Sequence, residues 1–363
     1  MSPFARFLLL RLLLVPLTLL VVTATLMLML TTVRPEVRAL QYLPYGIQAQ
    51  APEMTQEQLY QAAKDVIRRH HLEDPFPVQY AYWVVSLFTH DGGYSPTLKG
   101  NVFEALLKRM PVTGELALYS MLLFIPLGVV SGLRAGWRQG GPLDRRFRIV
   151  AYVASSLPPF IAALLLLGIF YVFLGWFPPG RLGIAMNQAT FSPEFHTYTG
   201  LMTIDSLLNW RLDIFLDAVR HLVLPVVTLS LVYWATLGRI VRSTIIGEAN
   251  KDYMTAARAR GVPERHLLWR HGLRNVLSPA LSSTALAAAS LFTGVFMIEI
   301  IFDLNGVADL VVKASKSGLD VPSVMGFCVY SVSVVLVIMF VLDVLRAILD
   351  PRSREIMTHA RAD

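Results

Sequence analysis

The run from Leu12 to Thr31 carries no charged residue and is almost entirely Leu, Val, Met and Thr. At about 1.5 Å per residue, roughly 20 apolar residues cover the ~30 Å hydrocarbon core of a bilayer as a helix. Such runs recur along the chain, and they leave few folds open. Without water to satisfy backbone N–H and C=O groups, only helices and closed barrels cross a membrane. These runs are too long for barrel strands, so the chain reads as an all-α integral membrane protein. Six spans are expected, at about 12–31, 114–133, 149–177, 221–241, 279–301 and 323–345. The first exceeds the usual ~7–15 residues of a signal-peptide core and no convincing A-x-A site follows, so it is read as a retained anchor.

Composition agrees: 55% of residues are hydrophobic and only 16% charged, against about 25% charged in a soluble domain. Mean hydropathy is +0.54. A net charge of +7 is compatible with nucleic acid, but the arginines cluster at the ends of apolar runs, which fits membrane orientation and no nucleic-acid role. The single cysteine, Cys328, lies in an apolar run, so no disulfide forms within the chain and the thiol reads as a small apolar filler.

Basic residues set the orientation. With the N-terminus inside, the inner segments 1–11, 134–148, 239–275 and 346–363 hold 19 Lys and Arg in 81 residues, and the outer segments 33–112, 176–220 and 302–322 hold 13 in 146. The inner density is more than twice the outer, as cytoplasmic loops require. Both termini are therefore expected in the cytoplasm. Arg11 is expected to snorkel to lipid headgroups, and Asp343 to pair with Arg346.

The outer segment 33–112 is too long for a bare link and is expected to form a small helical cap. Thr55 and Gln58 have capping-box spacing before an apolar face of Leu59, Ala62, Ala63, Val66 and Ile67. A second short helix begins at the Pro75–Pro77 region and is expected to end at Gly92 and Gly93. His70 and His71 are adjacent, so they point to different sides of a helix and make no metal pair.

The chain contains no G-x-x-x-x-G-K-[ST], and the dipeptide Gly-Lys does not occur. A phosphate-cradling P-loop is excluded, so any ATP drive must come from another chain. No H-E-x-x-H, Cys/His cluster or hydrolytic triad stands out, so neither a catalytic nor a metal site is expected.

The segment Asp252–Asn275 holds five arginines and two acids between two apolar runs. Residues from Glu248 to Arg260 favour helix. Tyr253, Ala256 and Ala257 make a stripe flanked by Arg258 and Arg260. Gly261 ends the helix, because glycine adopts the left-handed cap conformation cheaply. Pro263 suits the first turn of a second helix carrying Glu264, Leu267, Leu268, His271 and Val276. Such a basic pair either lies on anionic lipid or docks on a cytoplasmic partner. Pro158 and Pro159, inside the third run, make either a tolerated kink or a bend lining a pathway. Glu299, at the outer end of the fifth run, is either solvated at the interface or part of a gate. Val307, Leu310, Val311 and Ala314 form an amphipathic stripe that either packs or gates.

Several of these segments, in order, resemble ABC importer permeases of the dipeptide/oligopeptide/nickel type. "TAARARG" ending at Gly261 and "RHGLRN" ending at Asn275 are similar to the cytoplasmic loop of that branch, with Thr255 where the wider family carries Glu. Pro75, Gln79, Tyr80 and Trp83 match an outer-loop P-x3-Q-Y-x2-W, "HDGGYS" matches its following turn in part, and "PPGRLG" at 178–183 resembles a further one. "EIIFDLNGVADL" keeps Glu299, Phe302 and Gly306, with Asn305 in place of the usual Pro, and "LDPR" ends the resemblance.

The resemblance implies a permease with the six-helix architecture of type I ABC importers, in a bacterial or archaeal inner membrane. It implies a second homologous permease, two cytoplasmic ATPases that hold ATP and Mg, and an extracytoplasmic solute-binding protein, with membrane lipid around the chain and no cofactor of its own. Tyr253, Ala256, Ala257, Arg258, Arg260, Gly261, Pro263, Glu264, Leu267 and Leu268 would form the ATPase-coupling element. Pro158, Pro159, Glu299, Phe302 and Gly306 would be gate or pathway residues. The expected organisation is residues 1–32 as inner end and first span, 33–112 as the outer helical loop, 113–348 as the permease core with coupling loop 242–278, and 349–363 as a cytoplasmic tail. The solute stays open among dipeptide, oligopeptide, metal chelate and sugar. The alternative is an ion-coupled secondary transporter or channel, which needs its own ion site and usually paired repeats; neither is evident here.

Overall fold

The computed structural model describes residues 3–43, 47, 51–89, 93–95, 97–316 and 320–349. In chain order the helices are α1 Pro3–Thr31, α2 Pro35–Ala39, α3 Gln56–Arg69, α4 Phe76–Phe88, α5 Val102–Trp137, α6 Pro142–Ser156, α7 Pro159–Leu167, α8 Ile184–Ala189, α9 Met202–Leu208, α10 Leu212–Ala249, α11 Asp252–Ala259, α12 Leu273–Ile301, α13 Val307–Lys316 and α14 Val321–Leu349. A two-residue antiparallel hairpin, Tyr94–Ser95 with Gly100–Asn101, precedes α5.

Among the described residues, four helices are long and apolar enough to cross a membrane: Leu12–Thr31 of α1, α5, α10 and Val321–Val344 of α14. A fifth crossing arises if α6 and the stretch Pro159–Phe173 count as one span, although these two are bent by 99°. The bend has a local cause. Leu157 is extended (φ −94°, ψ 128°), as a residue before proline must be, and Pro158 and Pro159 donate no N–H to the preceding turn. The expected fifth span, 279–301, falls in α12, a 29-residue helix whose apolar stretch among the described residues is only Ser290–Ile301. Several other helices overshoot the expected spans: α5 has 36 residues and α10 has 38. Their polar ends continue the helix well past the apolar window.

The chain forms two compact units. Among the described residues, the first comprises 3–11, 112–305 and 335–349. Its core joins Leu116, Phe124 and Leu133 of α5, Ala163 of α7, Leu229, Leu237, Val241 and Ile245 of α10, and Leu291, Val295 and Ile298 of α12. A close seam runs between α5 and α10 and is built on Gly128, Gly132 and Gly136. A Cβ on Gly132 would sit 2.4 Å from the Gly238 carbonyl oxygen, and one on Gly136 would sit 2.3 Å from Cγ2 of Ile245. Small residues four apart let two helix backbones approach where lipid offers no hydrophobic drive. Trp234 Nε1 donates to Ser131 Oγ (2.9 Å) beside the same seam.

The second unit comprises residues 12–111 and 306–334. Its α3 carries the expected capping box, with Thr55 and Gln58 bonding reciprocally, and buries Ala63 and Ile67 with Ala39 and Leu43. The apolar spacing of this helix is therefore the face it packs. The second short helix, α4, starts after Pro75 but stops at Thr89 rather than at the two glycines; Gly92 lies outside the described residues. Met27, Leu30, Trp83 and Met325 form another cluster. Arg38 is buried and fully used: it donates to Gln79 Oε1 (2.9 Å), the Leu72 carbonyl (2.6 Å) and the Val33 carbonyl (3.1 Å). The α13 stripe packs, since Val307, Leu310 and Ala314 are buried. Side chains of Arg11 and Arg346, and the pairing expected for Asp343, lie outside the described residues.

Candidate functional site

The segment after α10 is a helix, a turn and a wider turn. The helix expected from Glu248 is interrupted at Asn250 and Lys251 and restarts as α11. At its end the Gly261 N–H donates to the Arg258 carbonyl (2.9 Å) and the Val262 N–H to the Ala257 carbonyl (3.2 Å). This pair of bonds, with Gly261 at φ +79°, closes the helix by a left-handed cap that costs other residues about 1–2 kcal/mol. Pro263 caps the next turn from one position earlier than expected, and its carbonyl accepts from the His266 N–H (2.8 Å) and the Leu267 N–H (3.1 Å). Leu267–Gly272 then forms a π-helical turn that leads into α12.

Burial sorts the expected coupling residues into two groups. Tyr253, Ala256, Arg258, Arg260, Gly261, Pro263 and Glu264 are exposed, with Ala257 half-buried, and nothing stands within 4 Å of where a Cβ on Gly261 would be. Leu267 and Leu268 are buried, so they hold the turn from beneath instead of presenting a surface. Met254, which the sequence reading passed over, is fully buried and anchors α11. Arg258 ties the segment together: it donates to Glu264 Oε1 (2.9 Å) and to the Ala249 carbonyl (3.1 Å), and stacks over Trp137 at 5.4 Å. Tyr253 Oη donates to Glu248 Oε2 (2.7 Å) and accepts from Asn275 Nδ2 (2.6 Å), joining the start of α11 to α12. Burial, then the Glu248 carboxylate, pushes the Tyr253 phenol up to about 12.

The five expected gate or pathway residues fall at element ends. Pro158 and Pro159 start α7, which lies against α10 and α12. Glu299 is buried within α12, so it is not a solvated interfacial acid. Phe302 is fully buried, and its carbonyl accepts from the Gly180 N–H (2.7 Å). Two of the sequence motifs, "PPGRLG" and "EIIF", therefore meet in space. Gly306 is buried, and the preceding Asn305 takes the left-handed turn at φ 58°.

The polar framework around residues 176–211 escaped the sequence reading. Buried Glu115 of α5 accepts from the Thr203 N–H (2.9 Å), Thr203 Oγ1 (2.5 Å), the Met202 N–H (3.2 Å) and Arg181 Nη2 (3.4 Å). Asp205 accepts from the N–H groups of Thr199 (2.8 Å) and Gly200 (2.9 Å). Asp217 accepts from the Gly183 N–H (2.7 Å). Buried Asp144 accepts from both Nε (2.5 Å) and Nη2 (3.0 Å) of Arg242. A lone acid at the rim of an apolar run was the available signal for Glu115, and the G-x-x-x-G-x-x-x-G spacing was the signal for the α5 seam. Among the described residues no group of His, Cys, Asp and Glu could hold a metal ion.

Residues 125–355 match the model of the family described as binding-protein-dependent transport system inner membrane component. The chain is 33% identical over 291 residues to the di/tripeptide transport system permease protein DppB of Pseudomonas aeruginosa, covering 80% of this chain and 84% of that one. It is 31% identical over 287 residues to the oligopeptide transport system permease protein AppB of Bacillus subtilis (79% and 83% covered). It is 34% identical over 286 residues to the probable D,D-dipeptide transport system permease protein DdpB of Escherichia coli (77% and 81% covered). The matched family region contains the bent pair α6–α7, the α10–α12 packing and the Gly261 turn, and it fits binding-protein-dependent transport rather than an ion-coupled carrier. The chain belongs to the family of inner-membrane components of binding-protein-dependent transport systems, and it is a transport permease subunit.

Proposed function

We propose that this permease forms half of the pathway of an ATP-driven importer for peptides or closely related small solutes, and that the Gly261 turn couples it to an ATPase. The names of the three relatives above, each a peptide permease, support the solute class. Six crossings, with 33–112 outside and both termini inside, complete the reading, supported by the basic-residue bias. A second homologous permease, two ATPases that bind ATP and Mg, and an external solute-binding protein are its partners. This chain holds no nucleotide and performs no covalent chemistry.

The carrying observation is the exposed turn itself. Its outward face is Tyr253, Ala256, Arg258, Arg260 and Gly261, it is braced from within by Met254, Leu267 and Leu268, and space is open at Gly261. A short, rigidly braced element of this kind can follow a moving partner as one body. Gly261→Trp is expected to insert normally, to lose ATPase co-purification or coupled uptake at least tenfold, and to leave the rest of the fold unchanged. Normal uptake and co-purification at normal membrane abundance would remove the coupling role.

A further inference from the structure

We propose that Arg134, Arg138 and Arg265, with the indoles of Trp137 and Trp269, form a binding groove for the phosphate headgroup of an anionic phospholipid. The groove has a volume of about 850 Å³ and lies between the end of α5 and the turn after Gly261. Among the described residues none of the three guanidiniums bonds a carboxylate. The acid on the groove wall, Glu264, is engaged by Arg258 at 2.9 Å, so the wall is left strongly positive. Arg134 stacks over Trp269 at 5.7 Å. A guanidinium over an indole face still has N–H groups to offer an oxyanion.

Depth selects the source of the phosphate. No charged residue intervenes between Glu115 and Arg134, so Arg134 is the first charge after an apolar run of bilayer length and stands at the headgroup layer. Trp137 ends the same helix, where indoles prefer the interface. A soluble phosphate gains nothing from two indoles, whereas the glycerol and upper acyl carbons of a lipid do. The same depth disfavours an acidic protein segment. Basic pockets between membrane helices take anionic headgroups for these reasons.

The test uses the full chain, delipidated in detergent, titrated with phosphatidylglycerol or phosphatidylcholine and read by native mass spectrometry. Each arginine near an anionic lipid is worth about fivefold in affinity. Arg138→Gln with Arg265→Gln is expected to weaken phosphatidylglycerol binding about 25-fold and leave phosphatidylcholine unchanged, and Arg265→Gln alone about fivefold. Both side chains are exposed, and an unchanged melting temperature checks folding. The matched pair Arg145→Gln and Arg146→Gln, two exposed arginines outside the groove, is expected to change binding less than twofold. No preference for phosphatidylglycerol in the wild type, or equal losses in both pairs, would overturn the site. So would displacement of the lipid by millimolar inorganic phosphate, which would make it a soluble-anion site. Loss of ATPase co-purification with lipid binding retained would make the groove a protein-docking surface and overturn it too. Gly261→Trp is expected to keep lipid binding, so failure of the coupling reading and failure of this one give different results.

Discussion

Gly132→Ala adds one methyl group where α5 comes up against the backbone of α10. Its carbon would start 2.4 Å from the Gly238 carbonyl oxygen and 3.0 Å from Cβ of Val241. Carbon and carbonyl oxygen rest at about 3.3–3.6 Å even when weakly attracted, so the helices must part by about 1 Å. The obstacle is backbone, and no rotamer change relieves it. A gap of ~0.5–1 Å forfeits a quarter to a half of each dispersion contact along the seam, and overpacking of this kind costs about 1–3 kcal/mol. Alanine returns about 0.8–1.0 kcal/mol of helix propensity. The matching control is Gly114→Ala on the same helix, where nothing stands within 4 Å of the added carbon; it gains the propensity without the clash. Relative to that control, Gly132→Ala is expected to lose about 2 kcal/mol. Its melting temperature in detergent should fall by on the order of 5 °C, and the assembled transporter should be less abundant in the membrane. Melting within about 1 °C of Gly114→Ala would refute the close seam.

Glu115→Ala leaves the Thr203 and Met202 donors and Arg181 facing an empty acceptor site, which is expected to cost about 3 kcal/mol; limited proteolysis should then cut residues 176–211 faster, and an unchanged cleavage rate would show that Glu115 does not hold this segment. Asp309 is pushed up by burial, but the bonds from Lys313 (2.7 Å) and Arg109 outweigh this and hold its carboxyl below the ordinary range. Its stabilisation is therefore full at neutral pH and is lost as pH falls through that lowered value, so Asp309→Asn should melt lower than wild type by about 1–2 kcal/mol at pH 7 and equally at strongly acid pH; a gap that persists in acid would contradict the assignment.

The sequence reading of the second unit succeeded where the signals were local. Thr55 and Gln58 cap α3, and Ala63 and Ile67 lie on its packed face, because a capping box and a 3.6-residue period act within one or two turns. The Gly261 turn was readable for the same reason, since its φ +79° is a property of four consecutive residues. The break at Pro158 and Pro159 was expected, but its 99° angle was not, because the direction taken after a break depends on what the second helix packs against. The spacing of Leu267 and Leu268 shows a stripe without showing which way it faces, and the structure buries both within the π-helical turn Leu267–Gly272.

By itself, the sequence determined that the chain lives in a bilayer, roughly where its apolar runs lie, and that the basic Gly261 segment stands apart from those runs. These follow from chain-local quantities: run length against hydrocarbon thickness, the absence of a Cβ at one turn, and charge that cannot enter lipid. Only the tertiary structure decided which glycines are contacts, since a Cβ on Gly132 would meet a carbonyl at 2.4 Å while one on Gly114 would meet nothing within 4 Å, although both are glycines in one helix. It alone brought Glu115 to Thr203 across 88 positions, and Gly180 to Phe302. The reason is physical: a buried carboxylate or a bare backbone records only that a partner is needed, and the partner's identity is set by how separate helices pack.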